Sequence, residues 1–119
     1  LANGTDLLLE IDWQGARAIR ATYPETVSIF ILPPSEATLK KRLIGRGMDG
    51  PDVINRRMRA AMGEISHFSE YEFLVVNDNF ERALEQLCLI IRACRLKTAP
   101  QRTRLHSKLR SLLASADTL

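Results

Sequence analysis

The stretch "TVSIFILPPSEATLKKRLIGR", residues 26–46, decides the fold class. Thr26 to Leu32 is a nearly continuous apolar run, rich in β-branched and aromatic residues. Such runs mark strands buried on both faces of a parallel sheet. Pro33-Pro34 ends the strand, because proline has no N–H for a ladder. Ser35 is then a good helix N-cap. Leu39 and Leu43, one turn apart, give the segment to about Arg46 a single apolar face. A buried-type strand that leads into a helix is the building unit of an α/β fold.

Two further runs read the same way. "DLLLEID" (6–12) follows a Gly4-Thr5 turn, and "EFLVV" (72–76) ends at Asn77-Asp78. Helical patterns lie between and after the runs. One covers about 14–22. Another starts after Asp52, with Ile54, Met58, Met62 and Ile65 as its stripe. The last opens on Asp78-x-x-Glu81, a capping-box pattern with Asp as the cap, and runs to about Lys97. Its apolar side holds Leu84, Leu87, Cys88, Ile91 and Cys94. The order β-α-β-α-α-β-α predicts an α/β layered fold with parallel strands and right-handed crossovers. Three strands make a thin sheet with two open edges. Further N-terminal strands are therefore expected, and the chain, which begins with Leu, reads as a piece of a longer protein. An exposed sheet edge also predicts low stability and association into a homo-oligomer.

Composition excludes several classes. The 119 residues are 45% hydrophobic and 26% charged, as in ordinary globular proteins. No apolar run approaches a membrane span, since "LCLII" stops at Arg92, and no segment reads as a signal peptide. Cys88 and Cys94, six apart, fit neither CxxC nor a one-turn metal spacing, and are expected as reduced thiols of a cytoplasmic protein. His67 and His106 fit no zinc pattern, and Trp13 is expected to pack. Net charge is only +3, but it is unevenly spread. Cations outnumber anions seven to three in residues 31–60 and seven to one in 91–119, while acids dominate the other two quarters.

The first basic block contains Lys40, Lys41, Arg42, Arg46, Arg56 and Arg57 around a bend made by Gly45, Gly47, Gly50 and Pro51. Arg42 and Arg46, four apart, share a helix face. A helix–bend–helix hairpin could aim them and Arg57 at one point, where planar guanidinium groups suit phosphate oxygens. The bland alternative is a solvated hairpin. Ligands of open α/β sheets gather beyond the carboxyl ends of the strands. Glu10 and Asp12 end the first predicted strand on one face, and Asn77 and Asp78 follow the third. Either acid could bond a base, a sugar or a hydrated metal ion, or could simply cap a helix. The sequence contains neither G-x-x-x-x-G-K-[ST] nor G-x-G-x-x-G, so these residues do not cradle a triphosphate by themselves.

The blocks "LLLEIDWQGARAIR", "SIFILPPS", "LKKRLIGRG", "VINRRM" and "EYEFLVVND", in this order, resemble the C-terminal part of a bacterial guanylate kinase. The resemblance runs from about Thr5 to Arg104. It implies a P-loop nucleoside monophosphate kinase fold without its P-loop and most of its GMP-binding domain. Residues 40–64 would be the lid, and 1–39 with 65–119 the core. The implied reaction moves the γ-phosphoryl of ATP to GMP, giving ADP and GDP, with Mg²⁺ accompanying ATP. Arg46 and Arg57 match the lid arginines that grip phosphates, and Arg42 matches a further basic lid position on ATP. Asn77 with Asp78 matches the pair lining the adenine pocket. Asp12 matches an acid near GMP. Glu10 stands where many members carry Asp, one methylene shorter. No residue is implied as a metal ligand, and the implied partners are ATP and GMP, with neither nucleic acid nor membrane. By itself the chain is expected to be inactive or nearly so.

Three rival readings remain at this level. A non-catalytic, guanylate-kinase-like interaction module would keep the fold and lose the catalytic arginines. A remnant would have no function. A nucleic-acid-binding domain would use the basic run Arg92–Arg110, which contains no acid and otherwise reads as a partly frayed tail helix.

Overall fold

The computed structural model describes residues 6–45 and 50–117. The chain divides after Asp78 into two compact units.

The first unit is built on two parallel strands, β1 (Ile29–Leu32) and β2 (Phe73–Val76). Their register runs from Ile29 opposite Phe73 to Leu32 opposite Val76. The ladder continues at both ends, where the Phe73 N–H donates to Ser28 O (3.1 Å) and the Asn77 N–H to Leu32 O (2.8 Å). Ser28 is buried, and its hydroxyl oxygen accepts from the Glu72 N–H, so the burial of a polar group is compensated. Parallel neighbours need a crossover. Here α2 (Glu36–Ile44), α3 (Pro51–Ile65) and the 3₁₀ turn Phe68–Glu70 supply it. The expected cap is present: Ser35 Oγ accepts from the Thr38 N–H at 3.1 Å. α3 starts two residues earlier than the sequence suggests, with Pro51 at its first position and Gly50 as a cap without a side-chain bond. Proline is favoured there because its missing N–H would have had no helical partner. α2 and α3 pack on each other as a hairpin.

Two expectations about the sheet fail. Residues 6–12 are not a strand. A strand is stable only within a ladder, and the sheet among the described residues is β1 paired with β2 alone. The apolar run is left on the surface, with Leu8 85% exposed. For the same reason the sheet is not covered on both faces. Val75 is 2% exposed, but its neighbours Leu74 and Val76 are about half exposed. The predicted Gly4-Thr5 turn lies outside the described residues.

Helix α1 (Trp13–Thr22) then fits the sequence closely. Asp12 is its N-cap, with Oδ1 accepting from the Gly15 N–H at 2.8 Å. Gly15 leaves room for that carboxylate, since a Cβ on it would lie 3.2 Å from Asp12 Oδ1 and 3.3 Å from Ile11 Cβ.

The second unit holds α4 (Phe80–Arg95), α5 (Thr98–Arg104) and α6 (His106–Asp117). The cap of α4 is Asn79, which accepts from the Arg82 N–H, and not Asp78. The less exposed positions along α4 are Ala83, Leu87, Cys88, Ile90 and Cys94. Leu84 and Ile91, expected inside, are exposed. Cys88 and Cys94 are free thiols. The tail forms two helices, α5 and α6, instead of one frayed one.

Candidate functional site

The carboxyl ends of the two strands gather part of the expected set. Just beyond β1, Ser35 opens α2. Just beyond β2, half-buried Asn77 extends the ladder, and exposed Asp78 follows it. Arg42, in the last turn of α2, donates from Nη2 to Asn77 O at 2.9 Å. This bond spans 35 residues and ties the last turn of α2 to the carboxyl edge of the sheet. Arg42 and Asn77, both expected at ATP, are therefore in contact. Arg57 is exposed on α3. Arg46 lies outside the described residues.

Glu10 and Asp12 do not end a strand. Glu10 sits on the exposed 6–12 segment, and Asp12 commits one carboxylate oxygen to the cap of α1. The capping alternative raised by the sequence is thus realised for Asp12. Asp12→Ala should cost the first unit about 1 kcal/mol through the lost cap, and Asp12→Asn should keep most of it. Chemical denaturation of the three proteins checks this.

Sequence spacing missed a second cluster, centred on Glu70. Arg17 donates to it from Nε (2.9 Å) and Nη2 (2.7 Å), a bidentate fork. Arg20 Nη2 lies 3.4 Å from the same carboxylate, and His67 Nδ1 is 2.6 Å from Oε2. The His67 ring stacks on Trp13 at 3.6 Å between centroids, and the Arg17 guanidinium lies 4.7 Å over the same indole. The Trp13 N–H donates to Glu64 Oε2 at 3.2 Å. Arg20 also sits over Tyr71, and its Nη1 is buried without a hydrogen-bond partner among the described residues. The hydrogen bonds from Arg17 and then from His67 hold the Glu70 carboxyl down at about 2, and the Arg17 guanidinium is raised in return. Burial, followed by the charge of Glu64, raises the Tyr71 phenol. The spacing of Glu64, His67 and Glu70 does not reveal this cluster, because their partners lie about 50 residues away.

An open groove on α4, lined by Glu81, Leu84, Glu85, Cys88, Leu89 and Arg92, carries two carboxylates against one guanidinium. That charge is wrong for a nucleotide phosphate.

A solved relative shows the class: the fold is that of part of a P-loop nucleoside monophosphate kinase. The solved guanylate kinase of Anaplasma phagocytophilum superposes with a TM-score of 0.66 at 35% identity, covering 86% of this chain and 50% of that one. The sequence model of the guanylate kinase family matches residues 1–94. The guanylate kinase of Hahella chejuensis is 51% identical over 115 residues, 97% of this chain and 55% of that protein. That of Salmonella typhimurium is 51% identical over 114 residues, 96% of this chain and 55% of that protein. The chain belongs to the guanylate kinase family. It spans about half the length of the relatives it matches.

Proposed function

We propose that this chain serves guanylate kinase chemistry, moving the γ-phosphoryl of ATP to GMP with release of ADP and GDP. The observation that supports the reading is the Arg42–Asn77 bond, which brings Arg42 of the hairpin to the edge where ligands of such sheets gather. In this reading residues 40–64 act as a lid over the rest, the core. Arg57, with Arg46, grips the transferring phosphoryl. Charge in such a transition state is spread over the equatorial oxygens, so positioned cations lower the barrier with no covalent role. Arg42, Asn77 and Asp78 hold ATP, with Asn77 and Asp78 lining the adenine. Asp12 and Glu10 accept hydrogen bonds from GMP. Closing the hairpin would exclude water from the reaction.

Among the described residues no three of His, Cys, Asp and Glu converge on one point. These residues therefore form no metal cage of their own. Mg²⁺ would come with the nucleotide, as is usual for this ion. Among the described residues no helix is long and apolar enough to cross a membrane. A cytoplasmic setting and homo-oligomer formation belong to the same proposal.

The test is a chimera in which this chain replaces the 114 residues it matches in the Salmonella typhimurium relative. With ATP and GMP it should form GDP and ADP in equal amounts, and the 119-residue chain alone should form little or none. A folded chimera that makes no GDP would overturn the reading and favour a non-catalytic module.

A further inference from the structure

We infer that Glu64 is a positioning residue that holds the GMP-side acid, Asp12, to the fulcrum of the hairpin. The inference rests on the guanylate kinase reading for its consequence, but not for its geometry.

A helix begins with N–H groups that have no partner inside it. In α1 the first intrahelical bond is from the Ala16 N–H to Asp12 O, so Trp13, Gln14 and Gly15 must look elsewhere. Asp12 Oδ1 takes the Gly15 N–H. Glu64, 51 residues away in the last turn of α3, takes the Trp13 N–H. Two carboxylates thus share one helix N-terminus, each on its own donor. This arrangement suits the partial positive charge at that end.

Glu64 is not an isolated contact. The segment that leaves α3 grips α1 at three successive points. Glu64 holds the Trp13 amide, His67 stacks on the Trp13 indole, and Glu70 forks onto Arg17. His67 and Glu70 hold side chains. Of the three, only Glu64 bonds the backbone next to Asp12. The end of α3 is also where the proposed lid joins the core. A hairpin swinging about this point carries Arg57 while Glu64 keeps the Asp12 backbone still. The Glu64–Trp13 bond therefore ties the end of the proposed lid to the backbone beside the acceptor-side acid.

The experiment has two arms. In the 119-residue chain, hydrogen exchange at the Trp13 amide is compared among wild type, Glu64→Ala, Glu64→Asp and Glu64→Gln, with the amides of α4 as a folding control. A hydrogen bond to a charged group is worth enough that Ala and Asp should speed Trp13 exchange about tenfold. Gln keeps an acceptor oxygen of the same reach and should stay close to wild type. In the chimera, Glu64→Ala should raise KM for GMP about tenfold on the same hydrogen-bond scale, leave KM for ATP unchanged, and be rescued by Gln. Unchanged Trp13 exchange in the Ala variant, or Gln exchanging as fast as Ala, overturns the anchor. Faster exchange with an unmoved KM for GMP overturns its positioning role. A wild-type chimera without turnover refutes the kinase reading, and the exchange arm still decides the anchor.

Discussion

Arg57→Ala in the chimera should lower kcat by about a thousandfold, the lower end of what an arginine supplied to a phosphoryl-transfer centre contributes. Its melting temperature should move little by comparison, because Arg57 is an exposed residue on α3 and the interactions of exposed charged side chains are worth little. The reason for the asymmetry is differential binding. A guanidinium that meets the phosphoryl oxygens only as charge builds on them stabilises the transition state more than the ground state, so its loss appears in kcat and not only in KM. Arg57→Lys should recover only a part, since an ammonium keeps the charge but loses the planar fork. Steady-state kinetics with GMP as the varied substrate distinguish the outcomes. A rise in KM with kcat intact would mean that Arg57 binds nucleotide equally before and during transfer, and near-normal turnover would remove it from the site altogether.

The second large effect concerns Glu70. Removing this carboxylate leaves Arg17 and Arg20, both drawn toward it in the structure, as neighbouring like charges. Glu70→Ala should therefore lower the melting temperature of the first unit more than Arg17→Ala or His67→Ala does singly. The effect also has a pH signature. The Glu70 carboxyl titrates at about 2 in the folded chain, below its ordinary value of roughly 4.3. A depressed carboxyl stabilises the fold at pH above its unfolded value and loses that contribution as pH falls through its folded value. Wild type should thus exceed Glu70→Gln in stability above about pH 5, a margin above that ordinary carboxyl value, and the gap should close as pH falls toward about 2. Trp13 is the only tryptophan and stacks on His67, so its fluorescence follows the opening of this cluster directly. A gap that stays constant with pH would show that Glu70 acts by shape and not by charge.

Local signals were legible in the sequence where the physics is local. Ser35 and the proline pair before it marked the start of α2, because a cap and a strand stop act within four residues. The stripe Ile54, Met58, Met62 and Ile65 found α3, although Met62 is exposed. The cap of α4 was missed by one residue, since "NDN" at 77–79 offers adjacent Asx side chains and only the backbone decides which one serves. The 6–12 strand failed for a deeper reason. An apolar run records what could be buried in a sheet, while a strand also needs a neighbour to bond, and the described sheet supplies none. The Glu70 cluster was invisible because Arg17–Glu70 and Trp13–Glu64 join residues 53 and 51 apart. No periodicity reaches across such a distance. The Arg42–Asn77 bond was legible in part, because both residues were singled out separately, while their meeting was not.

The central claim is that the cations of the hairpin exist to meet a transferring phosphoryl at the carboxyl edge of the sheet. A crystal structure of the chimera with GMP and a non-hydrolysable ATP analogue tests it most directly. The account predicts the guanidinium groups of Arg46 and Arg57 within about 3 Å of phosphate oxygens, with Arg42 and Asn77 beside the ATP analogue. Nucleotides bound at that edge with Arg46 and Arg57 turned to opposite sides of the molecule would contradict it.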